Sequence, residues 1–262
     1  LARQCRIPLL TTLYSRLDLP ELLPLFRKFS DMPLVSLSEA QREPISWANW
    51  LQTIPLSLPR HLYTPDVAAG TYLAFLGRIE AGNGIEEAIA AAARIGMPLQ
   101  IGSTGAPEDR AYYDSIISPR LDGSLIQYRG TVHEKEKNDF LGHAAALFAP
   151  INNREPACLA AIEALACGTP VIAFRTGPAA ECVQHGVTGF LCDTVEEMAR
   201  SLGHIALLDR SHCRLSFETR FTVPQMAHAY LTIYEQLVAT ATAVSSGREG
   251  ASALPVACSD QT

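Results

Sequence analysis

The stretch that decides the fold begins Ala146-Leu147-Phe148-Ala149-Pro150-Ile151. It continues through Asn152-Asn153-Arg154-Glu155-Pro156-Ala157 into Cys158-Leu159-Ala160-Ala161-Ile162-Glu163-Ala164-Leu165-Ala166. It ends with Gly168-Thr169-Pro170 and Val171-Ile172-Ala173-Phe174. The flanking runs are apolar without alternation, as in strands buried on both faces of a parallel sheet. The middle run has helical length and composition. Gly168 suits the left-handed residue that ends a helix, and Pro170 bars its continuation. The stretch therefore reads as strand, helix, strand.

The same alternation extends outward. Strands are expected at Tyr72–Ile79, Pro98–Ser103, Leu125–Arg129, Ala146–Ile151, Val171–Phe174 and Gly189–Cys192. Helices are expected at Ile85–Ile95, Glu108–Leu121, Glu134–Ala144, Cys158–Ala166, Ala179–His185 and Val195–Leu208. This is the pattern of a doubly wound, Rossmann-like α/β domain. We assign it residues 71–222.

Residues 1–57 read as the remnant of another α/β unit, with strands at Ile7–Leu13 and Pro33–Leu37 around a helix at Glu21–Phe29. Such a piece buries too little surface to stand alone. Residues 58–70 carry the Pro and Gly of a linker. Residues 223–242 form a final helix, amphipathic through Met226, Ala229, Tyr230, Ile233 and Leu237. Disorder is expected over 243–262, which are rich in Ser, Gly and Ala. The chain starts at Leu1 rather than at a methionine, which fits a fragment.

Composition narrows the function. Of 262 residues, 48% are hydrophobic and 18% charged, enough apolar material for a core. A net charge of -6 argues against a nucleic-acid partner. No apolar run reaches the roughly 18 residues of a transmembrane span, so only peripheral contact with a lipid-linked substrate stays open. Seven cysteines without CxxC spacing read as free thiols in a reducing cytoplasm. The seven histidines show no ligand spacing, so no metal site is expected. His133-Glu134-Lys135-Glu136-Lys137 reads as a solvated first turn with local ion pairs. Trp47 and Trp50 read as packing at the domain junction rather than stacking on a sugar.

Ligands of open parallel sheets bind beyond the carboxyl ends of the strands, where three loops are informative. Gly77-Arg78-Ile79-Glu80-Ala81-Gly82-Asn83-Gly84 precedes a helix. Arg78 offers a fixed cationic fork, and the glycines let the backbone approach an anion. In the second loop, Pro156 suits a first helical position, which puts Glu155 just outside the helix and Glu163 two turns inside. Eight helical residues turn about 80° and climb about 12 Å, leaving both acids near one side. Ionised carboxylates only accept hydrogen bonds and suit paired sugar hydroxyls. The N–H groups of Ala157, Cys158 and Leu159 can hold a diphosphate between them. Alternatively, Glu155 merely caps the helix and Glu163 faces solvent, yet a lone carboxylate in so apolar a helix is costly without a partner. The third loop, Phe174-Arg175-Thr176-Gly177-Pro178-Ala179-Ala180-Glu181, forms another wall of the crevice, or Glu181 is an ordinary first-turn acid.

Gly77-Arg78, the pair Glu155-Pro156…Glu163, Ala166–Ala173 and Gly186-Val187-Thr188-Gly189-Phe190-Leu191 together resemble family-four retaining glycosyltransferases of the GT-B fold, over about Ile7 to Leu237. The resemblance implies that Glu163 binds the ribose of a UDP-, GDP- or ADP-sugar, Glu155 the sugar, and Arg78 the diphosphate. It also implies that Gly77, Asn83 and Gly84 border the donor, that no metal or other cofactor is needed, and that the final helix crosses back to the first domain. The acceptor is left undetermined. Asn83 stands where the family usually has a lysine, Ala157-Cys158 where it has Phe-Gly, and Leu13-Tyr14-Ser15 where it has Leu-His-Gly. Two alternatives therefore stay open: a non-catalytic module binding a nucleotide sugar or a protein, and a nucleotide-sugar epimerase of similar shape.

Overall fold

The structure is a computed structural model that describes residues 7–66, 68, 70–105, 110–151 and 155–250, with side chains to residue 242. It holds two parallel sheets. The smaller has the order β1-β2-β3, from Thr11–Thr12, Leu34–Ser36 and Trp50–Thr53. Helices α1 (Leu23–Lys28) and α2 (Glu39–Arg42) join these strands.

The larger sheet has the order β6-β5-β4-β7-β8-β9. Its strands are β4 (Tyr72–Gly77), β5 (Leu99–Ser103), β6 (Ile126–Thr131), β7 (Ala144–Ala149), β8 (Val171–Phe174) and β9 (Gly189–Cys192). Its helices are α3 (Ile85–Ile95), α4 (Arg110–Tyr112), α5 (Glu134–Gly142), α6 (Leu159–Ala166), α7 (Pro178–Cys182), α8 (Val195–Ser201) and α9 (Arg210–Arg220). Helix α10 (Val223–Gly250) is the last element among the described residues.

Burial on both faces explains the continuously apolar strands. Along β4, Ala74 and Leu76 pack with Leu141 of α5, Ile162 of α6 and Phe217 of α9. Leu73 and Phe75 point the other way, onto Ile85 and Ile89 of α3 and Met198 of α8. Strand order reverses between β4 and β7, which pair in parallel. A crevice opens there because the chain leaves the two strands toward opposite faces. The loops after Gly77 and Ala149 meet at that point.

Several expectations are corrected. Helix α6 starts at Leu159 and not at Pro156. The expected helix 108–121 lies partly outside the described residues; the rest is α4, a wide turn over Tyr113–Ile117 and a tight one over Ser118–Arg120. That over 195–208 ends at Ser201 and tightens to a 3-10 helix through Leu207. Helix α9 was not foreseen because the face it buries is Arg210, Cys213, Ser216 and Phe217, which is not an apolar stripe. Strand β3 was missed because its middle pair, Leu51 and Gln52, is exposed and lacks a buried run. Residues 243–250 continue α10 rather than falling into disorder, as no proline interrupts them; 251–262 lie outside the described residues. Trp50 packs within the smaller unit, beneath Arg42 and donating to the Ile45 carbonyl, and Trp47 is exposed.

The two units are fastened together. Met226, Ala229, Tyr230, Ile233 and Leu237 of α10 pack on Val35 and Ile54 of the smaller sheet. Ser38 donates to the Pro156 carbonyl at 2.8 Å. The stretch read as a linker is held by α9: Arg214 donates to the carbonyls of Arg60 and Tyr63, and Arg210 to that of Asp66.

Candidate functional site

A cavity of about 330 Å³ occupies the crevice between β4 and β7. Gly77, Arg78, Asn83, Ala157, Cys158, Leu159, Glu155 and Glu163 all border it, together with Thr104 and Lys137. Gly84 is not on the wall. It begins α3 in a left-handed conformation (φ 83°), and a Cβ there would lie 2.3 Å from the Pro150 carbonyl oxygen, so glycine is what lets the two loops close on each other.

The two acids are related differently from the helical spacing expected. Residues 155–158 are not helical, so the 80° rotation and 12 Å climb do not apply. Glu155 is carried on a loop pinned by Ser38, and its carboxylate accepts from Arg78 at 2.5 Å. Arg78 also pairs with Glu80 at 3.0 Å, and Asn83 donates to the same Glu80 oxygen at 2.8 Å. Of the three backbone donors expected at the helix start, Leu159 is the first helical residue, Cys158 is the cap, and Ala157 lies outside the helix but on the cavity wall.

Glu163 is only 2% exposed. It has the partners such burial demands. Lys137 Nζ lies 2.7 Å from its Oε1, and Tyr63 Oη donates to the same atom at 3.1 Å. Burial raises the Glu163 pKa above its ordinary value, against the opposing pull of Lys137 and Tyr63. Burial alone would lower Lys137, but the Glu163 and Glu134 carboxylates outweigh it and raise it. Glu134 is lowered, chiefly by the Tyr63 hydroxyl, which bonds it at 2.5 Å. The solvated-turn reading of 133–137 is thus corrected at Lys137, which is almost covered. Lys137 and Tyr63 are site residues that the sequence reading missed. The signal for Lys137 was its place in the first turn of the helix preceding β7; Tyr63 left none.

Glu181 belongs neither to this wall nor simply to its own helix. Its carboxylate accepts the backbone N–H groups of Glu39 and Ala40, capping α2 across the junction. It borders a second cavity of about 190 Å³ with Ser38, Cys158 and Arg220. Arg175 pairs instead with Asp193.

The five described cysteines are free and buried. Burial pushes the Cys158 thiol up to about 12, so it is not a thiolate at neutral pH. Among the described residues no group of three or more His, Cys, Asp or Glu could hold a metal ion, and no helix is long and apolar enough to cross a membrane.

Known proteins resemble this chain in sequence and in fold. A family model described as glycosyl transferases group 1 matches residues 68–220. D-inositol 3-phosphate glycosyltransferase of Arthrobacter sp. (strain FB24) is 32% identical over 147 residues, covering 53% of this chain and 35% of that protein. The chain thus spans about a third of that relative's length. AviGT4, a glycosyltransferase involved in avilamycin A biosynthesis, is 26% identical with a TM-score of 0.65, covering 79% of this chain and 64% of that one. Anabaena Alr3699/HepE in complex with UDP-glucose shares the fold at 19% identity, with a TM-score of 0.68 over 90% of this chain and 72% of that one.

Proposed function

The chain belongs to the glycosyl transferases group 1 family and has its GT-B architecture of paired parallel sheets, and on that premise we propose that it transfers a hexose from a UDP-, GDP- or ADP-sugar to an acceptor with retention. The observation that carries this reading is the convergence of Arg78, Glu155, Glu163 and the start of α6 on one cavity at the sheet's switch point. The complex of the HepE neighbour with UDP-glucose supports a nucleotide-sugar donor.

In this reading Glu163 accepts from the ribose hydroxyls and Glu155 from the sugar. Arg78 and the N–H groups of Cys158 and Leu159 hold the diphosphate. The bond from the anomeric carbon to the diphosphate oxygen breaks, and a bond to the acceptor oxygen forms on the same face. The acceptor's proton passes to the departing diphosphate, so neither a protein nucleophile nor a cofactor is required. Donors already aimed at the growing charge stabilise the transition state, each contributing about 100-fold or more in rate. Free buried thiols fit a reducing cytoplasm.

Calorimetry with UDP, GDP and ADP tests the assignment. Glu163→Ala should abolish the binding seen with the unaltered chain; unchanged affinity would remove the ribose role. A second reading, donor binding without transfer, is favoured by one observation: Asn83 is neutral where the family has a cation, and Arg78 is already paired with two carboxylates. Binding without turnover of any sugar nucleotide would select it.

A further inference from the structure

Lys137 reaches the donor cavity from α5, an element to which the family resemblance assigns no role. We propose that Lys137 is a positioning residue which, with Tyr63, clamps one oxygen of Glu163 so that the other stays an ionised acceptor for a ribose hydroxyl. This rests on the donor-binding reading above.

The geometry is specific. Both contacts of Glu163 fall on Oε1, from Lys137 at 2.7 Å and Tyr63 at 3.1 Å, and Oε2 has no partner among the described residues. Yet Glu163 borders the cavity and is 2% exposed. A buried carboxylate with one oxygen fixed and one unoccupied is an acceptor held ready for a ligand hydroxyl. Lys137 is itself restrained, since Glu134 holds its ammonium at 3.0 Å and only 12% of the side chain is exposed. Tyr63 ties the group together by sharing its one hydroxyl proton between Glu134, at 2.5 Å, and Glu163, at 3.1 Å. Three elements therefore converge on one oxygen: α5, α6 and the segment 58–70.

The titratable groups near Glu163 are Lys137 and Glu134 on α5, Tyr63 before β4, and Cys158 and Cys167 flanking α6. Of these, Lys137 is the cation. Burial drives Glu163 toward its neutral form and Lys137 opposes this. Without the ammonium, Glu163 would hold its proton to higher pH, and its acceptor function would return only as the pH rises.

The test measures dissociation constants for whichever of UDP, GDP and ADP binds most tightly, and for its 2′,3′-dideoxy form, between pH 6 and 9. The unaltered chain should bind the ribonucleotide with little pH dependence and lose about tenfold or more on the dideoxy form, the scale of an unpaired buried polar group. Lys137→Met should bind the ribonucleotide about tenfold more weakly at pH 6, recovering as pH rises, while its affinity for the dideoxy form matches the unaltered chain. Lys137→Arg should restore the flat profile. Lys137→Gln serves if the methionine variant does not fold. A pH-independent loss, or equal loss on ribo and dideoxy nucleotides, overturns the proposal and leaves donor binding intact. Failure of the unaltered chain to bind any of the three overturns the donor-binding reading and this inference with it.

Discussion

The carboxylate of Glu181, at the fourth residue of α7, accepts the backbone N–H of Ala40 at 2.8 Å, and its other oxygen accepts that of Glu39 at 2.9 Å. An acid of the larger unit thus satisfies orphan donors of a helix in the smaller one, a favourable place for negative charge. Glu181→Ala should lower stability by about 1 kcal/mol, the scale of hydrogen bonds to a charged group that is partly wet. It should also speed hydrogen exchange at the amides of residues 39 and 40. Unchanged exchange there would show that the cap contributes nothing in solution.

Glu80 pairs with Arg78 and accepts from Asn83, the two polar groups at the proposed diphosphate position. Its charge competes with that of the ligand. Glu80→Gln should therefore bind a nucleoside diphosphate about three- to tenfold more tightly, the scale of one partly exposed ion pair, and leave the affinity for the bare nucleoside unchanged. Calorimetry on both ligands decides it, and weaker binding would mean that Glu80 instead holds Arg78 in place.

Arg210 has its guanidinium buried and donates to the carbonyls of Asp66, Gly142 and Ala144 and to the Thr169 hydroxyl. It joins the start of α9 to the segment before β4, the end of α5, the first residue of β7 and the turn before β8. Arg210→Met should cost about 3 kcal/mol or more, since several buried acceptors would lose their donor at once. A urea unfolding midpoint shifted by no more than that of a surface arginine variant would count against this.

Gly84 and Gly186 both have positive φ, 83° and 76°, but differ in surroundings. A Cβ at 84 meets the Pro150 carbonyl, whereas one at 186 meets nothing within 4 Å. Gly186→Ala should cost about 1–2 kcal/mol, the conformational penalty alone. Gly84→Ala should cost clearly more and weaken nucleotide binding as well. Equal thermal shifts would show that the two loops yield.

The inner strands of the larger sheet, β4 and β7 above all, were legible because they are buried on both faces and carry that requirement as a continuous apolar run, whereas the edge strand β6 buries only Ile126. Val171–Phe174 and Gly189–Cys192 were placed residue for residue. So was α3, bounded by glycines 84 and 96, both in the left-handed conformation. The stripe Met226, Ala229, Tyr230, Ile233 and Leu237 announced a buried helix face, although not the surface it meets. Helix α9 was invisible because it is held by an arginine and a capping aspartate rather than by periodic leucines.

The site divided along the same line. Sequence alone determined that Arg78 and Glu155 would lie in the loops after strands of one parallel sheet, with Glu163 in the helix that follows the second loop, because parallel-sheet topology brings such loops to one edge. It also required that a carboxylate inside so apolar a helix find a partner. Which partner was decided by tertiary structure alone. Lys137 and Tyr63 lie 26 and 100 residues away from Glu163 in the chain, and no local periodicity records a contact between side chains that only the packing of three elements brings within hydrogen-bond reach.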